Sequence, residues 1–312
     1  MTGYFATPEH PETYRAGFAC VIGRPNAGKS TLVNALVGQK VAITSGRPQT
    51  TRHTIRGIVH RDDAQLVLVD TPGFHRPRTL LGTRLNDLVM GTLSEVDVVA
   101  FCLPADQKVG PGDQYIARML EDVKTPIVAL ATKAHTVPQP QLVDHLIAIE
   151  QLGSWADIVP VSSLEGYQVE TVSDVLCSHL PLSSPLYPAG ELTDEPEQVM
   201  VAELVREAAL EGVRDELPHS LAVVVEEMKV REGRNAAQGE LVDIHVTIFV
   251  ERDSQKAIVI GSKGSRLREV GSQARTGIEA HLGPKAFLDI RVPVGMVWQR
   301  APKELQRPRL SQ

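Results

Sequence analysis

A lysine and a hydroxyl group follow a glycine in Gly23-Arg24-Pro25-Asn26-Ala27-Gly28-Lys29-Ser30-Thr31. The spacing G-x-x-x-x-G-K-S is that of a loop that wraps a polyphosphate. Its two glycines let the backbone aim N–H groups inward. Lys29 supplies a point charge that reaches the β- and γ-phosphates, and Ser30 offers a hydroxyl to Mg²⁺. The loop leaves an apolar run at 18–22, which reads as a buried strand. It enters 29–37, which reads as a helix with its positive end toward the same phosphates. A chance turn with one surface lysine would share the letters but not both flanks.

Asp70-Thr71-Pro72-Gly73 is the second piece of chemistry. An aspartate at the carboxyl end of a strand can hold the Mg²⁺ shell. The Gly73 N–H can approach a γ-phosphate with no Cβ in the way. Alone these four residues are an ordinary turn; downstream of a phosphate loop they complete it. A third turn, Thr132-Lys133-Ala134-His135, also follows an apolar run, at 127–131.

The elements that position these turns alternate. Strands are expected at 17–22, 55–60, 66–69, 96–103, 127–131 and 158–161. Helices are expected at 29–37, 80–94, from 110–113 to 120, around 142–149, and at 169–180. Arg61-Asp62-Asp63 makes 55–60 and 66–69 an antiparallel hairpin. The fold class is therefore α/β, a doubly wound, mostly parallel sheet with one antiparallel hairpin. All three turns fall at its carboxyl edge, where such sheets bind ligands.

A Pro/Ser/acid-rich stretch follows, and the division expected is 1–183, a linker at 184–198, and 199–312. The second part reads as a helix with Val199, Leu204, Ala208 and Val213, then strands at 221–230 and 241–251 about a turn at Gly233-Arg234-Asn235. A short apolar helix runs into Gly261-Ser262-Lys263-Gly264, then a basic helix with Arg266, Arg268 and Arg275, and a strand at 286–292. That order is a smaller α+β KH domain of the second topological type, whose GxxG loop clamps about four nucleotides. The expected RNA-binding residues are Gly261, Ser262, Lys263, Gly264, Arg266 and Arg268.

Charge agrees with this division. The chain carries 32 Lys+Arg and 38 Asp+Glu, yet residues 252–312 hold 12 basic against 5 acidic side chains. A basic end on an acidic protein suggests an anionic partner. The three cysteines, Cys20, Cys102 and Cys177, lack metal-ligand spacing and read as core residues of a reducing compartment. No secretory signal is apparent, and the longest apolar stretch, 96–103, is too short for a bilayer.

With both parts read, the chain resembles the Era family of bacterial GTPases. The pieces that carry the likeness are Gly23–Asn26 with Lys29-Ser30-Thr31, Gln49-Thr50-Thr51-Arg52-His53, and Asp70–Gly73 in the first part. In the second they are Glu216-Leu217-Pro218-His219-Ser220 and 258–264. The resemblance implies a switch that binds GTP or GDP with Mg²⁺, hydrolyses GTP, binds the 3′ end of 16S ribosomal RNA and assists assembly of the 30S subunit. It implies a catalytic set of Lys29, Thr50, Thr51 and Gly73. The expected metal set is Ser30 and Asp70 with Thr51, or Thr50 in its place. Phe74 stands where other GTPases carry a water-orienting glutamine, which implies slow intrinsic turnover. The family further implies a cytoplasmic protein, with peripheral contact at the inner face of the cell membrane; a monomer is expected.

One turn departs from the family. Its guanine-reading sequence is Asn-Lys-x-Asp or Thr-Lys-x-Asp, and here it is Thr132-Lys133-Ala134-His135. The aspartate accepts two hydrogen bonds from guanine, whereas a neutral histidine accepts one at best. Losing a bond to a charged partner costs about 1.5–3 kcal/mol, or roughly one to two orders of magnitude in affinity. Lys133 can still lie against the base, and Ser162 in Val161-Ser162-Ser163 can keep a backbone contact there. The alternative is an RNA-binding assembly factor with a degenerate nucleotide site, or a phosphate-loop ATPase without base discrimination. Trp298 reads as a gap filler.

Overall fold

The computed structural model describes residues 11–44, 54–73, 89–211, 221–231 and 240–295. The expectations for Gln49, Thr50, Thr51, Arg52, His53, Phe74, residues 80–88, Val213, Glu216–Ser220, Gly233–Asn235 and Trp298 lie outside the described residues. The chain divides into two compact units, Met1–Glu195 and Pro196–Gln312.

In the first unit β1 is Arg15–Gly23, β2 Ile55–His60, β3 Ala64–Asp70, β4 Val98–Pro104, β5 Ile127–Thr132 and β6 Asp157–Pro160. Their order in the sheet is β2-β3-β1-β4-β5-β6. Only β2 and β3 pair antiparallel; the other pairs are parallel. The central strands are apolar on both faces, as a sheet covered on both sides requires. On one face Ala19, Val21, Leu66, Leu68, Ala100, Cys102 and Leu130 pack with Leu32, Val33, Val172 and Leu176. Those four lie on α1, Lys29–Val37, and on a later helix, Val169–Ser178. On the other face Cys20, Ile22, Val99, Phe101, Leu103 and Ala129 meet Ile116, Leu120 and Ile149. These come from α2, Pro111–Leu120, and α3, Gln139–Glu150; the helix Val169–Ser178 is α4.

β1 has β3 on one side and β4 on the other, so the chain reverses its winding direction there. The crevice at the carboxyl end of β1 is thus the switch point at which such sheets bind ligands. Of the helix expected at 80–94, residues 89–93 are helical within the described part.

The stretch read as a linker is strapped to the exposed edge of this sheet. Ile58 N–H donates to Leu192 O at 2.8 Å, Arg56 pairs with Asp194 at 2.6 Å, and a His60 ring nitrogen lies 2.6 Å from Glu191 O. Gln65, 1 % exposed, accepts from the N–H groups of Leu186 and Tyr187 and donates to Tyr187 O. Edge strand β2 would otherwise present unpaired backbone groups.

The second unit runs α5 (Glu197–Leu210), β7 (Ala222–Val230), β8 (Leu241–Phe249), α6 (Asp253–Ile260), a 3-10 turn at Ser262–Gly264, α7 (Ser265–Leu282) and β9 (Lys285–Arg291). β8 is central, antiparallel to β7 and parallel to β9. Alternate residues of β8, Val242, Ile244, Val246 and Ile248, are buried against Val201, Leu204 and Val205 of α5 and Val270, Ala274 and Ile278 of α7. Gly277 allows the two helices to meet closely, since a Cβ there would lie 3.3 Å from Leu204 Cδ2.

Candidate functional site: a phosphate cradle and a separate GxxG groove

β1 delivers Gly23 to the carboxyl edge of the sheet, and the chain turns back into α1 at Lys29. Gly28 caps that helix at φ +91°, a conformation L side chains rarely adopt. Thr132 Oγ1 at the end of β5 donates to Ala27 O at 2.6 Å and braces the loop from the next turn along the edge. Arg24 points away from the loop's interior. Its Nε donates to Asp113 Oδ1 at 2.6 Å and Nη1 to Gln107 at 3.1 Å. Asp113, 1 % exposed, also caps α2 by accepting from Gly110 N–H.

Lys29 is buried, with Nζ donating to Arg24 O at 3.0 Å. Burial pushes its ammonium below the usual lysine range, and the Asp70 carboxylate pulls the other way. Ser30 Oγ donates to Asp70 Oδ2 at 2.6 Å. Thr71 is fully buried and anchors the turn through Oγ1 to Val21 O at 2.8 Å. Gly73 lies directly on the phosphate loop: a Cβ there would come within 2.8 Å of Pro25 Cα and N. The sequence-expected residues 23–31 and 70–73 therefore form one site.

The donor set fits a magnesium-bound nucleoside phosphate. Oxygen donors from Ser30 and Asp70 suit a hard cation. The ammonium of Lys29, the start of α1 and a Gly73 that tolerates no Cβ suit an anion lying on the backbone. Among the described residues no group of three or more His, Cys, Asp or Glu could hold a metal ion by protein ligands alone.

The turn after β5 stands beside the loop. Lys133 adopts φ +58° and its Nζ pairs with Asp106 at 2.9 Å. His135 Nδ1 lies 2.6 Å from Ser162 Oγ. Ala134 N–H donates to Val161 O, and Ser162 N–H to Tyr167 O. The Ser162 backbone contact expected with a base is thus already made within the protein.

In the second unit, Gly261 at φ +72° passes so close to α7 that a Cβ would meet Arg266 Cβ at 2.6 Å. Nothing lies within 4 Å of a Cβ built on Gly264, so that side of the loop is open to a ligand. Ser262 and Lys263 lie between them in the 3-10 turn, Lys263 at φ +50°. A groove of about 490 Å³ runs from Gly264 past Arg268 and Arg275 to Phe287 and Ile290. Arg266 turns the other way, to Glu269 at 2.6 Å and Ala208 O at 3.2 Å. Arg275 is the cation that replaces it on the groove.

Three partners carry no local sequence signal: Asp113 of Arg24, Asp106 of Lys133, and Gln65 of the strap. Each is joined to its partner across 27 to 122 residues of chain, so no local pattern announces it.

Comparison with known proteins agrees with this geometry. The family described as 50S ribosome-binding GTPase matches residues 18–133, and the KH domain family matches 216–299. GTPase Era of Streptomyces coelicolor is 63% identical over 309 residues, 97% of each chain. GTPase Era of Mycobacterium avium is 60% identical over 297 residues, 94% of this chain and 98% of that one. A crystal structure of Era in complex with MgGDPNP and nucleotides 1506–1542 of 16S ribosomal RNA superposes with a TM-score of 0.86. It is 32% identical, over 94% of this chain and 98% of that one. A phosphate cradle, a KH unit and near-full-length identity of this size together establish that the chain belongs to the Era family of GTPases.

Proposed function

We propose that this chain is a GTP-binding and GTP-hydrolysing switch that binds the 3′ end of 16S ribosomal RNA and assists assembly of the 30S subunit. The observation that carries the reading is the contact of Ser30 with Asp70 beneath a loop closed by Gly73 on Pro25. Residues 23–31 hold the phosphates of GTP or GDP, with Lys29 and Gly73 against the transferred group. Ser30 and Asp70 hold Mg²⁺, together with Thr51 or Thr50 of the segment beyond the described residues. Bound Mg²⁺ supplies charge neutralisation at the phosphate oxygens. Lys133 and His135 face the base, with Thr132 and Ser162 buried behind them. A GTPase part spans 1–183 and an RNA-binding part 199–312, joined by 184–198. RNA enters the groove at Gly261–Gly264 and meets Lys263, Arg268 and Arg275.

Nucleotide state reaches the RNA through the β2–β3 hairpin. Both nucleotide-sensing segments, 44–54 and 73–82, flank that hairpin in sequence, and the strap at 186–194 is bonded to it. Ordering of the segments by nucleotide then biases the segment that leads to the second unit. The protein works as a cytoplasmic monomer. The basic C-terminal region is the part suited to peripheral contact with an anionic membrane face. Among the described residues no helix is long and apolar enough to cross a membrane.

The test is GTP turnover with and without an RNA fragment matching the 3′ end of 16S ribosomal RNA. Turnover that is lost in Lys29→Ala, together with RNA binding that is retained, supports the reading. Turnover unchanged in Lys29→Ala contradicts it. The exchange of aspartate for His135 favours one second reading, an RNA-binding assembly factor whose nucleotide site has lost guanine specificity. Equal competition by ATP and GTP would select it.

A further inference from the structure

Ser162 is fully buried. Its Oγ accepts from Glu165 N–H at 3.3 Å and lies 2.6 Å from His135 Nδ1. Among the described residues Nδ1 is the one acceptor that the Ser162 hydroxyl proton reaches. A ring proton on Nδ1 would leave that hydroxyl hydrogen buried with no acceptor, an arrangement folded proteins avoid. The hydroxyl therefore donates to Nδ1, and neutral His135 carries its proton on Nε2. His135 is exposed, so this N–H edge is open to a ligand. Protonation of the ring adds a second N–H and creates no acceptor.

The turn thus offers a hydrogen-bond donor where a carboxylate would offer acceptors. Guanine presents two donors at its recognition edge, N1–H and the 2-amino group. Inosine lacks the amino group, and xanthine carries an acceptor oxygen in its place. We propose that His135 is a specificity-determining residue, held by Ser162 as a positioning residue, and that the base subsite gives no advantage to a 2-amino group. It takes inosine and xanthosine nucleotides at least as well as guanosine nucleotides. This inference rests on the reading of the 132–135 turn as the base subsite.

The experiment is calorimetric affinity of the full chain for the Mg²⁺ complexes of GDP, IDP and XDP, in the wild type, His135→Asp and Ser162→Ala. Long-range ¹H–¹⁵N NMR of His135 reports the tautomer. The wild type is expected to bind GDP and IDP within about threefold of each other, and XDP at least as tightly. His135→Asp should favour GDP over IDP by about tenfold or more. Ser162→Ala frees Nδ1, mixes the tautomers and narrows the preference for XDP; a purely structural role would weaken all three nucleotides alike. The NMR pattern expected is Nε2–H with Nδ1 unprotonated. A wild type that favours GDP over IDP by tenfold, or an Nδ1–H tautomer, overturns the inference alone. Failure of all three nucleotides to bind overturns it together with the nucleotide-site reading.

Discussion

Ser30 Oγ and Asp70 Oδ2 are 2.6 Å apart, which joins the first turn of α1 to the last residue of β3. Strand order accounts for the contact. β1 and β3 are parallel neighbours, so whatever follows β1 meets whatever ends β3. Val21 is paired with Asp70 in that register, two residues before the loop begins. The hydroxyl and the carboxylate that a magnesium ion would need are positioned by the sheet itself.

Arg24 and Asp113 tie the phosphate loop to α2. Asp113 is 1% exposed and the Arg24 side chain 23%, so the pair is largely shielded from water. Removing one partner of a fully buried pair costs about 3–5 kcal/mol, and partial exposure lowers that to about 2–3 kcal/mol. Asp113→Ala should lose this much in urea unfolding and bind nucleotide more weakly. A loss below about 0.5 kcal/mol would mean the pair only decorates the surface.

Gln65 holds three backbone groups of the strap. In Gln65→Ala the amides of Leu186 and Tyr187 should exchange with solvent faster by at least about fivefold, since each lost bond is worth roughly 1 kcal/mol or more. Nucleotide affinity should hold. Unchanged exchange at these two amides would show that Arg56, His60 and Ile58 hold the strap without Gln65.

Gly264 leaves the ligand side of its loop open. Gly264→Asp puts a carboxylate where RNA phosphates would pass and a side chain at φ +75°. RNA affinity should fall by at least about tenfold, with GDP affinity unchanged. Filter binding that shows equal RNA affinity would move the RNA site elsewhere.

Burial pushes the Cys102 thiol up to about 12, and Cys20 and Cys177 are raised as well. The native protein should therefore resist a thiol reagent at pH 8 and yield three thiols on unfolding. The linkage has a definite sign. An unfolded thiol ionises near 9 and the native one near 12, so the native state holds the proton longer. This contribution to stability is full below pH 9 and is lost as pH rises toward 12. Fast modification of Cys102 in the native protein would contradict the burial.

Much of this was legible because its signals are local. The glycine spacing before Lys29, the apolar runs of β1 and β3, and the Gly261–Gly264 loop between helices each sit within about a dozen residues. The rest depends on what a finished sheet brings together. Gln65 looks like any polar residue in a strand until the strap crosses it. Arg266 belongs to the basic run in sequence, yet its place at the start of α7 aims it at Glu269 and Ala208. Arg275 lies about two and a half turns along the same helix and lines the groove instead. Departure from the family pattern at His135 was visible from residue type alone. Ser162 was legible as a neighbour of the base, but its side-chain contact with His135, 27 positions away, follows only from the pairing of β5 and β6.

The central claim is that the loop at 23–31 and the carboxylate of Asp70 close around one metal–nucleotide group. Its most direct test is calorimetric affinity for GDP with Mg²⁺ and with EDTA, in the wild type and in Asp70→Asn. We expect Mg²⁺ to tighten binding in the wild type and to have little effect in Asp70→Asn. An equal response to Mg²⁺ in both proteins would contradict the account.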